Sequence, residues 1–428
     1  MAALSESQHR RLTVEAEEDV GALRRAVARL AADRRALRPG VAELVATELG
    51  TNLLRHALPG GYVLARRAGD GIELLSVDRG PGMTADALAP PAGTAPSAVP
   101  PRPGGRGLNA GLAVIRRNAA EFDWYSTLNG TVVYVRLGAT EPDVHPGWRV
   151  GGVNVPLGGD GESGDAWAVT PAGHRGPKDT PATRSGGHRA SDGTPAAAPG
   201  DDRGPYPTRA VPTSGNYNTP ATRSGGHRAS DDTPAAAPGE HHGPTPAVPP
   251  GERPSPSRPL AALVVDGLGH GPHAAAAALA AVGVFERVPV TDLDALLRRA
   301  HEAMRSTRGG VLGACLIDPG RGELTYAAVG NITGRVVTGG RSMHLLDRPG
   351  TLGTQLPVPS VRLQRCPWEP GSTLVLVSDG IRSGWSPDGH PRLLERHPAI
   401  VAAVLHRDYG RPTDDATVLV VRHAGGMP

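Results

Sequence analysis

The chain has 428 residues, enough for two or three domains, and 39% hydrophobic content with only 3% aromatics means that aliphatic side chains must build the cores. A formal charge of +3, with no basic patch interleaved with aromatics, excludes a nucleic-acid surface, and no run approaches the ~18 apolar residues of a membrane-spanning helix. Lys178 is the only lysine, which excludes a Walker-type phosphate loop; Cys315 and Cys366 fit no metal-ligand spacing, and the first residues lack a signal-peptide core, so the expectation is a cytoplasmic protein in a reducing compartment.

In chain order, residues 12–137 alternate helix and strand patterns. Leu23, Val27, Leu30 and Leu37 recur at helical spacing, and Val41 to His56 carries Leu44, Val45, Leu49, Leu53 and Leu54. GYVLARRAG and GIELLSVD read as strands, a Pro/Ala/Gly loop occupies 89–105, and Leu108 to Ala120 reads as a helix. FDWYSTLNGTVVYVRL reads as a hairpin through Asn129-Gly130. This predicts an α/β sandwich with one layer of helices on a mixed sheet.

Residues 138–147 form a linker. GGVNVPL and SGDAWAV open a second unit, 148–423, whose pattern breaks at about 171 and resumes at Leu260. The intervening 171–258 are rich in Pro, Gly, Ser, Thr and Ala, and TPATRSGGHRASD occurs at both 180–192 and 219–231. Having no apolar face to bury, this segment is expected to be a disordered insert. It interrupts one domain only if residues 170 and 260 are neighbours. From Leu260 onward, helices alternate with several short strands, the pattern of a layered α/β fold with sheets inside and helices outside.

Two constellations carry chemistry. In the first, Glu48 and Asn52 are four apart on one helix and share a face. Asp78 ends an apolar strand and enters DRGPGM, and GGRGLNAGL (104–112) runs into a helix whose N-terminus can meet phosphate. In the second, acidic residues end apolar runs: Asp165 in SGDAW, Asp266 in VVDGLGHG, Asp379 in VSDG, and the pair Asp414-Asp415 in DDATVLVV. Hard divalent ions take carboxylate and carbonyl oxygens, and Gly267 can offer a carbonyl that no side chain screens.

TELGTNLLRHA, VDRGPGM, GGRGLNAGLAVIRR and NGTVVYV resemble the GHKL ATPases, specifically the small serine kinases of the RsbT and anti-sigma type. The resemblance implies a Bergerat-type α/β sandwich over 12–137 that binds ATP with Mg²⁺. It implies Glu48 as the base, Asn52 as the Mg²⁺ ligand and Asp78 as the adenine reader. Gly82 would line the adenine pocket, Gly105, Gly107 and Gly111 would shape the phosphate lid, and Thr131 would support the adenine side.

GGVNVPLGG, SGDAWAV, DGLGHGPHAAAAA, RGGVLGACLID, VGNITGRV, SDGI and DDATVLVV resemble the SpoIIE and RsbX branch of the PPM-type phosphatases. This implies an α-β-β-α sandwich holding two Mn²⁺ or Mg²⁺. Asp266 would bridge the metals and Gly267 would give a backbone ligand. Asp379 and Asp414 would hold one ion, with Asp415 the alternative to Asp414, and Asp165 would serve an outer metal. Together the two resemblances imply regulation of a STAS-type anti-anti-sigma or stressosome protein through its phosphoserine, with a sigma factor as a further partner. The other reading makes the N-terminal half a non-catalytic, ATP-dependent binding module attached to a phosphatase.

Overall fold

A computed structural model describes residues 7–83, 108–138, 147–159, 161–173 and 258–423, with backbone only at 108–110. The first sheet orders its strands β1 (Arg10–Val14), β2 (Gly61–Ala68), β3 (Gly71–Asp78), β5 (Gly130–Leu137) and β4 (Glu121–Thr127). Helices α1 (Glu17–Ala31), α2 (Val41–His56) and α3 (Leu108–Asn118) cover one face. Every pairing in this sheet is antiparallel, so the expected mixed sheet is not found; tight hairpins join β2 to β3 and β4 to β5. Thr127 pairs with Gly130, so Leu128 and Asn129 are the hairpin loop and Gly130 already belongs to β5. Leu37 lies beyond the end of α1 and packs on the core from the following loop.

The C-terminal half stacks two more five-stranded antiparallel sheets. One orders β13 (Gln364–Pro367), β10 (Glu323–Val329), β9 (Gly310–Asp318), β8 (Leu260–Gly267) and β7 (Asp165–Pro171). Its outer face is covered by α4 (Pro272–Arg287) and α5 (Leu293–Met304). The other orders β12 (Arg341–Leu345), β11 (Thr333–Thr338), β14 (Thr373–Val377), β15 (Ala416–His423) and β6 (Trp148–Val155). Trp148, Leu260, Val264, Tyr326, Leu374 and Val421 fill the space between these two sheets.

The remaining helix, α6 (Pro398–Tyr409), joins the halves. Residues Pro398 through Leu405, together with Arg407, are buried, so the helix is covered all round. A helix without a polar face has to lie between two apolar layers. Here the layers are the β6–β15–β14 face on one side and the first sheet on the other. β3 shows why the first sheet can do this. Ile72 and Leu74 point to α1–α3, while Leu75 and Val77 point to α6, so both faces are apolar. The layers therefore run α1–α3, first sheet, α6, the sheet of β6, β15 and β14, the sheet of β7, β8 and β9, and α4–α5.

The predicted insert meets its geometric condition. Pro171 pairs with Leu260 and Thr170 with Ala261, and Ala172 N–H donates to Pro259 C=O at 2.8 Å. Residues 174–257, which include both repeats, lie outside the described residues. Replacing 174–257 with a short Asn-Gly turn is expected to keep the β7–β8 hairpin and to raise stability by about 3 kcal/mol at most, since loop closure depends weakly on length. Urea unfolding followed by circular dichroism measures this; loss of a cooperative transition would show that the segment supports the fold.

Candidate active site

β7 and β8 lie side by side with Asp165 directly opposite Asp266. Carboxylates facing each other across a ladder repel. Asp165 is buried, and its Oδ2 accepts a hydrogen bond from Ser378 Oγ at 2.6 Å. Ser378 Oγ in turn accepts from Thr417 N–H at 2.9 Å. Asn154 donates to the Asp165 carbonyl at 2.9 Å, and the Asn154 carbonyl accepts from His9 N–H at 2.7 Å. The strand preceding α1 is thus fastened to the strand that bears Asp165.

Asp266, Asp379 and Asp414 line one cleft of about 460 Å³, with Leu268, Gly269, Asn331, Asp347 and Gly350 around them. Burial first, and then the neighbouring charges of Asp165, Asp379 and Asp414, push the Asp266 carboxyl well above the ordinary range. Burial also raises Asp165, and burial and Asp379 raise Asp414. Gly267 sits where a Cβ would come within 2.2 Å of the Ala274 carbonyl, so only glycine lets α4 start this close to the end of β8.

The Asp414-Asp415 pair is divided by its hydrogen bonds. Asp415 is buried; its Oδ1 accepts from Leu157 N–H at 2.6 Å and its Oδ2 from Gly164 N–H at 2.7 Å. Both oxygens tie β15 to the β6–β7 connection, which speaks against Asp415 as a ligand, whereas Asp414 faces the cleft. Asn331 Nδ2 donates to Asp379 Oδ2 at 2.7 Å and fixes its orientation. Sequence reasoning gave no role to Ser378, Asn331 or Asp347. The VGNITG and SDG motifs contained the first two, but only the packed sheets show which acids they meet.

The donor set fits hard divalent cations: Asp266, Asp379 and Asp414 share one cleft, and burial with neighbouring carboxylates pushes Asp266 and Asp414 towards protonation, a condition that a bound cation relieves. Among the described residues no three acidic, histidine or cysteine side chains already stand together as a closed ligand set; Asp165 is turned to Ser378 and Asp415 to backbone amides.

At the other end of the molecule, α3 crosses α2 at Gly111. A Cβ there would stand 2.7 Å from Glu48 Oε2 and 3.4 Å from Asn52 Oδ1, so the bare glycine leaves room for both polar groups. Asp78 Oδ1 accepts from Gly80 N–H at 2.8 Å and Thr131 N–H at 3.0 Å, and burial raises its carboxyl. Thr131 Oγ1 lies 2.9 Å from Ser126 Oγ, which accepts from Met83 N–H at 2.7 Å, next to Gly82. Glu48, Asn52 and Gly111 thus form one group, and Asp78, Gly82 and Thr131 another. Gly105 and Gly107 lie outside the described residues. The Asp78 carbonyl accepts from Arg407 Nη1 at 3.4 Å, and Arg79 Nη2 donates to the Arg407 carbonyl, so this loop is clasped to α6.

Residues 256–424, which carry Asp266, Asp379 and Asp414, match the family model Stage II sporulation protein E (SpoIIE). The chain carries a SpoIIE-type phosphatase domain. In the SpoIIE-type domain, β7 and β6 precede the matched span and complete its two sheets. Among solved structures, a bacterial stressosome protein is 22% identical, covering 64% of this chain and 99% of its own, with a TM-score of 0.41. The PP2C phosphatase domain and a regulatory fragment of SpoIIE from Bacillus subtilis are 13% identical over 96% of this chain and 94% of theirs, with a TM-score of 0.38. RsbX in complex with magnesium is 24% identical over 38% of this chain and 80% of its own, with a TM-score of 0.34. No curated protein matches the chain.

Proposed function

We propose that the chain is a protein-serine phosphatase dependent on Mn²⁺ or Mg²⁺, fused to an ATP-binding serine kinase or anti-sigma-like module, and that it sets the phosphorylation of a STAS-type anti-anti-sigma or stressosome protein in control of a sigma factor. The observation that carries the phosphatase reading is the meeting of Asp266, Asp379 and Asp414 on one cleft within the SpoIIE-type domain. Asp266, Asp379, Asp414 and the Gly267 carbonyl would hold the metals, with Asp165 behind them. Bound divalent cations supply an acidified water and neutralise phosphoryl charge. The protein's own part is orientation: Asn331 aims Asp379, Ser378 holds Asp165, and Asp415 fastens the loop that presents Asp414.

For the N-terminal half, Glu48 and Asn52 opposite Gly111 support a base and a Mg²⁺ ligand at the phosphate end of ATP. Asp78, steadied by Gly80 and Thr131, supports adenine recognition by accepting from its exocyclic amine. The test uses the full chain. With Mn²⁺ it is expected to release phosphate from a phosphoserine STAS-domain protein, and EDTA is expected to stop this. With labelled ATP and Mg²⁺ it is expected to label the same serine, and Glu48→Gln is expected to keep nucleotide binding while losing the label. ATP binding with no label in either form would leave the N-terminal half as a binding module.

A further inference from the structure

A second cavity, of about 270 Å³, shares Asp414 with the carboxylate cleft. Its walls come from both halves of the chain: Arg11 from β1, Arg79 from the loop after β3, His406 and Arg407 from α6, and Arg411 from the loop that leads to Asp414. Four arginines line this small cavity together with Asp414, so positive charge is in excess there.

The four are not equivalent. Arg407 is buried and committed, with Nε and Nη2 each 2.8 Å from a carboxylate oxygen of Asp408. Arg79 lies 3.5 Å from the same acid. Arg11 and Arg411 have no acid within ion-pairing distance among the described residues. Arg11 lays its guanidinium over the Tyr62 ring at 4.2 Å, which fixes its plane and leaves its N–H edge available. Arg411 is exposed, and its backbone N–H is held by the Gly380 carbonyl at 2.7 Å, immediately after Asp379.

A second, independent feature points to a ligand. His406 lines this cavity, and its Nδ1 is buried without a hydrogen-bond partner. A buried polar atom left unpaired costs about 1–3 kcal/mol unless something meets it. Burial, and then the charge of Arg11, hold this imidazole well below its usual range, so it is neutral and can carry its one N–H on Nδ1. Planar guanidinium groups and an imidazole N–H match the oxygens of a phosphate or carboxylate.

We propose that this cavity is an oxyanion-binding subsite built jointly by the two halves of the chain, in which Arg11, Arg411 and His406 grip a phosphate or carboxylate group of the protein substrate beside the metal cleft. The proposal deepens the phosphatase reading, yet its binding step stands without it. It also gives the N-terminal strand a direct part in substrate capture.

The first measurement is titration of inorganic phosphate into the full chain stripped of metal with EDTA, followed by calorimetry. Phosphate is expected to bind, and the R11A/R411A double variant is expected to weaken that binding at least tenfold. Both side chains are exposed, so the variant's thermal midpoint should match the parent's. Because no metal is present, this result is independent of whether the chain turns over any phosphoester. The second measurement is hydrolysis with Mn²⁺. The double variant is expected to raise KM for a phosphoserine peptide at least fivefold with kcat within about twofold, and R11K/R411K should recover part of the loss. An equal rise for p-nitrophenyl phosphate identifies the held group as the scissile phosphate. A rise confined to a peptide with acidic flanks identifies a neighbouring carboxylate. Unchanged phosphate binding together with unchanged KM in R11A/R411A overturns the subsite.

Discussion

Asp266→Asn is expected to cut Mn²⁺-dependent release of phosphate from a phosphoserine peptide by about 10³-fold, the scale of several kcal/mol of lost charge stabilisation. The same variant is expected to be more stable than the parent when both are metal-free. Asp266 faces Asp165 across the β7–β8 ladder and shares its cleft with Asp379 and Asp414, so its carboxyl is pushed up by burial and by like charges. An acid raised in this way holds its proton more tightly in the folded chain than in the unfolded one. The stability it contributes is therefore fully present at acid pH and is lost as pH rises beyond the ordinary carboxylate range. Asparagine removes the charge and with it that loss. The check is a pair of thermal melts in EDTA at pH 5 and pH 8, in which the gap between variant and parent should widen at the higher pH. Adding Mn²⁺ should reverse the order, because ligand binding raises the parent alone. Retained hydrolysis in Asp266→Asn would remove this residue from the site.

Ile400→Ala is expected to cost about 2–5 kcal/mol, the range for emptying a fully buried aliphatic site. Ile400 is wholly buried within the core that joins α6 to Leu64, Leu75 and Val77 of the first sheet and to Val153, Val375 and Val418 of the sheet of β6, β14 and β15. The loss should therefore appear as a downward shift of one calorimetric transition. Two transitions, with only one shifted, would show that the halves fold independently. The same core determines how the N-terminal half has to be studied. Residues 1–140 alone would present Leu64, Leu75, Val77 and Tyr134 to water as one apolar face, so nucleotide binding is better measured on the full chain.

Much of this arrangement is legible residue by residue. Glu48 and Asn52 declare a shared helix face by their spacing of four, and Gly111 does leave them room. Asp266 and Asp379 end apolar strands, and this places both at the same cleft. The doubly apolar character of GIELLSVD was already a sign that both faces of β3 are covered, though not by what. Other features depend on pairings that no local pattern encodes. RRLTV is short, and its first two arginines are exposed, so β1 carries no clear alternation. Asp414 and Asp415 are indistinguishable as neighbours in sequence. Only the amides of Leu157 and Gly164, far away in the chain, separate the anchoring acid from the one that faces the cleft. Arg11 and Arg411 are four hundred positions apart and gain a common purpose only where the first sheet meets the loop after α6.

The position of α6 has a bearing on how such a fusion persists. A helix that uses another module's sheet as its outer wall no longer carries the polar face it would need to stand alone. Arg407, reaching the Asp78 carbonyl, adds a polar fastening to the same contact. Severing the backbone between Gly138 and Gly147 would leave two fragments still held together by that buried helix. The two modules are thus held by packing across α6 as well as by the peptide connection.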